Sequence, residues 1–375
     1  MALETYKYVI VGSGFFGAVM AERIANDLAT PVLVLEKRSH TGGNCHSVDH
    51  SETGIHYHLY GTHIFHTNDK ETWDFVNKFS KFRYYQHRVL SYVEGNYVPF
   101  PVNRTTLSRI FGLKPYSTDV KKILQQEIDR SNYIKPPLNF RDAVVSQMGE
   151  KLYSLFYKNY TIKQWQTHPE NISADLAKRI PIRENDDNRY FADKYQGIPL
   201  YGYTKLVESI LDHENISILL GQDYFEIKEE LKSDILIYTG ELDRYFNYKY
   251  GKLEYRSLDL KIETYEKEYF QQAAVINYPN DYDWTRITEF KYFLDEKSSK
   301  TSVCFEYPKA SGEPYYIVMT KENIQKRDLY LQEVKRCEEM DNVFFIGRLA
   351  EYRYYNMDQV IKAAVDKVNK NILSK

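Results

Sequence analysis

The sequence predicts an α/β fold organised around an N-terminal nucleotide-binding unit, and three observations carry that prediction. The apolar, β-branched run Tyr8-Val9-Ile10-Val11 ends in Gly12-Ser13-Gly14-Phe15-Phe16-Gly17, and a segment with helical spacing follows (Ala18, Met20, Ala21, Ile24, Ala25, Leu28). A second apolar run, Pro31 to Leu35, closes on Glu36. Farther along, helical periodicity dominates from about 104 to 165 and strand patterns dominate 255–320. Strand, glycine turn, helix and strand make a βαβ unit, and continuous apolar strands suit a parallel sheet covered on both faces.

The turn between the first strand and its helix carries the chemistry of the unit, which is Rossmann-like. Gly12 permits the tight turn, Gly14 lets a pyrophosphate approach the backbone, and Gly17 allows close helix packing. The helix N-terminus directs its partial positive charge at that phosphate. Glu36 stands where an acid accepts from ribose hydroxyls. The glycines do not separate NAD from FAD. The segment Lys37-Arg38-Ser39-His40-Thr41-Gly42-Gly43-Asn44 does more, because a basic residue followed by a Gly-Gly doublet resembles FAD-binding oxidoreductases of the glutathione-reductase-like class. Ile346-Gly347-Arg348 fits a second, C-terminal element of such a site.

The middle of the chain reads differently. Ser117 to Arg130 and Phe140 to Phe156 carry helical spacing. Thr167 to Asn188 is polar, holds His168-Pro169 and Ile180-Pro181, and reads as a long exposed loop with at most a short helix, the kind of segment that often serves as a lid. Strands are expected at Tyr255 to Ile262, Ala273 to Tyr278, Thr301 to Tyr307 and Tyr315 to Met319. A last buried strand covers 343–346, and a helix runs from about Met357 to Ile372.

Composition excludes several classes. With 50 Lys and Arg against 52 Asp and Glu, the 375-residue chain has a formal charge of -2 and lacks the basic excess of a nucleic-acid binder. No apolar run approaches the roughly 20 residues that cross a bilayer. The N-terminus reads directly into a folded strand and not as a signal peptide. The 3 cysteines are scattered, which fits free thiols in a reducing cytoplasm. Tyrosine, at 35 residues, is in excess without an evident reason. His56, His58, His63 and His66 invite a metal reading, but no carboxylate or cysteine joins them and their spacing spreads them over different faces. No metal is expected; a histidine beside a flavin is favoured.

At His58-Leu59-Tyr60-Gly61-Thr62-His63-Ile64-Phe65-His66-Thr67 the sequence resembles the bacterial UDP-galactopyranose mutases, and the resemblance continues over nearly the whole chain. Its blocks include Tyr160-Thr161-Ile162-Lys163-Gln164-Trp165, Lys178-Arg179-Ile180-Pro181, Glu254-Tyr255-Arg256, Thr285-Arg286-Ile287, Glu313-Pro314-Tyr315-Tyr316 and Gly347-Arg348-Leu349-Ala350-Glu351-Tyr352. The resemblance implies three parts: a discontinuous FAD-binding domain (1–82, 204–254, 325–375), an inserted helical domain (104–190, with a mobile loop at about 167–188) and an antiparallel β-sheet domain (83–103, 191–203, 255–324). It implies a cytoplasmic homodimer that needs reduced FAD, kept reduced by a cellular flavin reductant. The implied reaction interconverts pyranose and furanose forms of a nucleotide-diphosphate sugar through a flavin N5–sugar adduct, with no net redox change, and supplies furanose for surface polysaccharide.

By the same resemblance Arg179, Arg286 and His63 are catalytic. Phe156, Tyr160, Thr161, Trp165, Tyr190, Arg256, Asn277, Tyr316, Tyr354, Thr62 and His87 bind substrate. Gly12, Gly14, Phe16, Gly17, Glu36, Lys37, Asn44, His63, Ile64, Arg348, Asn356 and Met357 hold the flavin. The sequence departs from the pattern at Thr62, His87, Gln166, Glu241, Trp284, Phe290, Ile317 and Asn356. Phe290 in place of histidine points toward a sugar lacking a hydroxyl, such as dTDP-fucose, and UDP-N-acetylgalactosamine is the other alternative. Asn356 removes an acid near the flavin. A flavin oxidase or dehydrogenase and a non-catalytic nucleotide-sugar binder are the competing functions.

Overall fold

The computed structural model describes residues 5–368. Strand β1 (Tyr6–Val11) and strand β2 (Val32–Glu36) flank helix α1 (Phe15–Asp27) and pair in parallel. Ile216–Leu220, Ser233–Tyr238 and Val343–Phe345 extend them into a five-stranded sheet in which every pairing is parallel. Alternate residues face opposite ways, as a pleated strand dictates. Tyr8, Ile10, Val32 and Val34 pack under α1, Gly202–Leu211 and Met357–Lys367. Val9, Leu33 and Leu35 pack with Tyr330 and Val334 of the long helix Lys321–Met340.

A seven-stranded sheet forms the second body. Its order is Tyr316–Ile317, Tyr255–Tyr265, Thr301–Lys309, Arg286–Glu289, Val275–Asn277, Val89–Val93 and Asn96–Phe100. It departs from the expected antiparallel pattern at one junction, where Val275–Asn277 runs parallel to Val89–Val93. The strand Tyr195–Pro199 pairs with Phe65–Thr67 and Phe82–Tyr84 in a separate three-stranded sheet.

Helices Arg104–Ile110, Val120–Asp129, Phe140–Tyr153 and Asn159–Trp165 gather around Leu107, Val144, Met148, Leu152 and Phe156. Asn139, Asp119 and Asn103 cap three of them through side-chain oxygens. The helix from Phe140 breaks at Gly149 (φ 83°), and a Cβ there would stand 2.6 Å from the Glu127 backbone. A π-helical turn, Ser154–Lys158, then precedes Asn159–Trp165. The 167–188 segment is less free than an exposed loop: Ile172 and Ala177 are buried in the helical core, and the Ser173 N–H donates to the Met319 carbonyl. Two 3-10 turns, Pro169–Asn171 and Ala174–Arg179, shape it.

Candidate active site

The glycine turn is built as its sequence requires. The Gly12 N–H donates to the Leu35 carbonyl at 2.7 Å, with φ at +106°, and a Cβ on Gly17 would stand 1.9 Å from the Gly12 carbonyl oxygen. Only glycine fits either position. Gly14 is the N-cap of α1 and offers no side-chain partner to the first N–H groups, and the first turn carries no acid. Such a helix end is open to an anion. Glu36 is buried, accepting from the Ser13 N–H (3.0 Å) and hydroxyl (2.8 Å) and from the Arg38 N–H (3.0 Å). It therefore braces the glycine turn it follows. Asn44 accepts from Arg38, and Lys37 is paired with Glu313.

Gly12, Gly14, Glu36, Lys37, Arg38 and Asn44 line one cavity of about 510 Å3 together with Phe16, Ile64, Arg348, Asn356 and Met357, whereas Gly17 packs behind the turn. The opposite wall comes from the seven-stranded sheet and the loops beside it: Arg286, Asn277, Tyr316, Tyr354, Tyr190, His87, Thr62 and His63. A chain separated by hundreds of residues thus brings the expected cofactor side and substrate side into one space. Asn356 caps Met357–Lys367 in a reciprocal box with Gln359, a job asparagine does as well as aspartate.

Arg286 donates to the Tyr160 hydroxyl at 2.5 Å and lies 3.7 Å from the buried Glu306 carboxylate. The Arg286 Nε, Glu306 Oε1 and Asn277 Oδ1 atoms are buried without hydrogen-bond partners. Buried polar atoms are costly unless paired, so these three form a polar cluster enclosed in the wall of one cavity. Glu306 was not foreseen, although a carboxylate inside Val303-Cys304-Phe305-Glu306 is a buried charge written into an apolar strand.

The four neighbouring histidines separate. His56 pairs with Asp49, and His66 with Asp193. His58 is buried against Phe293 and accepts the His63 N–H at 3.0 Å through Nδ1. His63 Nδ1 lies 2.8 Å from the Gly61 carbonyl, so that nitrogen carries the proton and Nε2 is left as an acceptor. Burial lowers the His63 pKa to about 4 and keeps the ring neutral. Burial and the Arg286 charge lower His87 to about 3. Among the described residues no group of three or more His, Cys, Asp and Glu side chains stands ready to hold a metal.

Other expected contacts take different places. Arg256 is buried and its donors go to the Trp165 carbonyl (2.6 Å), the Tyr255 carbonyl and Glu254, so it anchors the end of the Trp165 helix. Trp165 donates to the Tyr354 hydroxyl, which donates to the Ile317 carbonyl at 2.7 Å. Phe156 and Thr161 are buried; Phe156 joins Phe100 and, through it, Tyr190 in an aromatic group behind the cavity wall. Arg179 closes the turn Ala174–Arg179, and its side chain lies outside the described residues. Phe290 does not reach the cavity: it is fully buried against Tyr57, His58 and Phe293. The inference of a 6-deoxy sugar from that position therefore falls.

Comparison with known proteins agrees with this arrangement. A family model described as UDP-galactopyranose mutase matches residues 155–354, and a Rossmann-like NAD(P)-binding domain model matches residues 10–79. A probable UDP-galactopyranose mutase of Klebsiella pneumoniae is 38% identical over 368 residues, 97% of this chain and 94% of that one. A dTDP-fucopyranose mutase of Escherichia coli is 36% identical over 370 residues, 96% of this chain and 97% of that one. Among solved structures, a reduced UDP-galactopyranose mutase superposes with a TM-score of 0.81 at 17% identity, covering 100% of this chain and 95% of that chain. The chain belongs to the UDP-galactopyranose mutase family.

Proposed function

We propose that this mutase binds FAD along the glycine turn and converts a UDP-galactose-like nucleotide sugar between its pyranose and furanose forms. The carrying observation is one cavity lined both by the uncapped first turn of α1 and by Arg286, Asn277 and Glu306. The residues fit a flavin dinucleotide: Gly12 and Gly14 bring bare backbone to the cavity, α1 has no side-chain cap of its own, and Arg348 lines the same cavity. Reduced FAD supplies a nucleophile to the anomeric carbon.

The protein's own part is to hold the leaving group and orient the sugar. Arg286, which lines the cavity, presents cationic donors to the diphosphate. Tyr316, half-buried in the same wall, offers a hydroxyl. Tyr354 would exchange its bond to Ile317 for one to phosphate. His63 accepts a hydroxyl proton through Nε2, and His87 faces the sugar as a neutral ring. Arg179 is assigned to the diphosphate by the family resemblance. The glycine-turn segments form the flavin part and the helical insert the nucleobase side.

The E. coli relative favours a second substrate, dTDP-fucose, at nearly the same identity as the galactose relative. The test is anaerobic incubation of dithionite-reduced enzyme with UDP-galactose, dTDP-fucose and UDP-N-acetylgalactosamine. Furanose product from one of them, only when the flavin is reduced and without stoichiometric reductant use, is expected. Turnover coupled to oxygen or NAD(P)H consumption would overturn the reading in favour of an oxidase.

A further inference from the structure

We infer that Lys163 is a positioning residue for the nucleotide-sugar site: its ammonium orders the hairpin loop whose two ends carry Asn277 and Arg286, and pins that loop to the helix bearing Tyr160 and Trp165. The inference rests on the proposed substrate site and names a residue that touches neither substrate nor cofactor.

Three backbone carbonyls converge on one nitrogen. Lys163 Nζ donates to Tyr278 at 2.5 Å, to Tyr282 at 2.9 Å and to Trp284 at 3.0 Å. All three belong to the connection between Val275–Asn277 and Arg286–Glu289, where Asn277 and Arg286 are cross-strand partners. An ammonium has three donors and no acceptor, so this arrangement uses its full capacity. It does for the loop what a bound cation does, drawing its carbonyls to a common centre. Burial lowers the Lys163 pKa to about 8, Asp283 and Asp281 oppose that shift, and the nitrogen is charged at neutral pH.

The anchoring has a direction. Tyr160 and Lys163 lie three residues apart, on one face of Asn159–Trp165. Tyr160 meets Arg286 while Lys163 meets the loop that leads into Arg286. Two flanking bonds repeat the join: Asn159 donates to the Asn280 side chain at 3.1 Å, and Asn280 donates to the Leu155 carbonyl at 3.0 Å. Helix and sheet approach each other through these contacts, and the place of Arg286 beside Tyr160 follows from them. An apolar side chain of similar length at 163 fills the space and leaves three carbonyls without a donor, so the loop relaxes and Arg286 loses its fixed place.

The test compares Lys163→Met and Lys163→Arg with wild type as purified holoenzyme. Binding of UDP and dTDP is measured by calorimetry, KM and kcat on the preferred sugar nucleotide, and thermal unfolding in parallel. Lys163→Met is expected to raise Kd and KM together by about tenfold, with a smaller change in kcat and the flavin spectrum retained. Arginine restores part of the affinity because it keeps the charge and donors. Equal Kd and KM in wild type and Lys163→Met, or a loss of melting temperature with no KM effect, overturns the inference. Wild type that binds neither nucleotide overturns the substrate reading instead. Should Lys163→Met fail to fold, Asn280→Ala carries the test: it removes the flanking bonds from the half-exposed side, a rise of about threefold in Kd supports the inference, and an unchanged Kd overturns it.

Discussion

A hydroxyl ties the loop that carries His63 to the strand that carries Arg286. Thr62, on the loop with His63, lies 2.7 Å from the Thr288 hydroxyl, and Thr288 hydrogen-bonds the Glu306 carboxylate that faces Arg286. Proline or alanine, expected at that position in the family, lacks the bond. Thr62→Val keeps the shape and removes it, at a cost of about 1 kcal/mol in transition-state positioning, or about fivefold in kcat/KM. Thr62→Ser restores most of the rate. Steady-state kinetics on reduced enzyme checks this, and a Thr62→Val enzyme as fast as wild type removes the link from the mechanism. Residues of this kind were only partly legible in the sequence. The motif blocks led to Arg286, Tyr316 and His63, which do line the cavity. They also led to Arg256, whose donors are spent on Trp165 and Glu254, because a motif records that a side chain matters and not which atoms it serves. Phe290 differs for another reason: it lies one residue past the Arg286–Glu289 strand, where the backbone turns helical into Lys291–Leu294, and its side chain enters the aromatic core of Tyr57, His58 and Phe293 and not the cavity.

At the scale of elements, local chemistry was a good guide where it was strong. The glycine turn, β1 and β2 follow from residue types whose geometry has few alternatives. The Lys321–Met340 helix escaped notice because only Asn323, Tyr330 and Val334 of its residues are buried, which leaves almost no apolar stripe to read. Ile216–Leu220 sits at the sheet edge with its side chains half out, and gave a similarly weak signal. The kink at Gly149 was invisible, since a positive φ is set by Glu127 packing against it. Gly149→Ala meets both a left-handed backbone and a collision with Glu127, and is expected to lower stability by about 3 kcal/mol. Urea unfolding followed by circular dichroism measures it; a loss below about 1 kcal/mol would mean the helix accommodates a Cβ by straightening.

The five-stranded and seven-stranded sheets both contribute to the wall of one cavity, and the stability of the molecule carries the signature of neutral histidines enclosed there. His87 is the clearest case: buried, 3.2 Å from the Tyr85 hydroxyl, under Tyr190 and Phe191, and facing Arg286 and His66. Its pKa in the folded chain is about 3, against 6.5 for an exposed ring, so the unfolded chain binds a proton more readily than the folded one between those values. Stability contributed by the neutral ring is complete above pH 6.5 and is lost progressively as pH falls toward 3. Between pH 8 and pH 5 that loss amounts to about 2 kcal/mol for one such group. Glu296 acts in the opposite sense, since burial raises its pKa to about 7 and the folded chain then gains as pH falls from 7 toward 4.5. Comparison with His87→Asn, which keeps Glu296, cancels that contribution. Wild type is therefore expected to lose about 2 kcal/mol more than His87→Asn between pH 8 and pH 5 in denaturant unfolding. Parallel pH curves would show that the His87 ring titrates as if in water and that the cavity admits solvent to it.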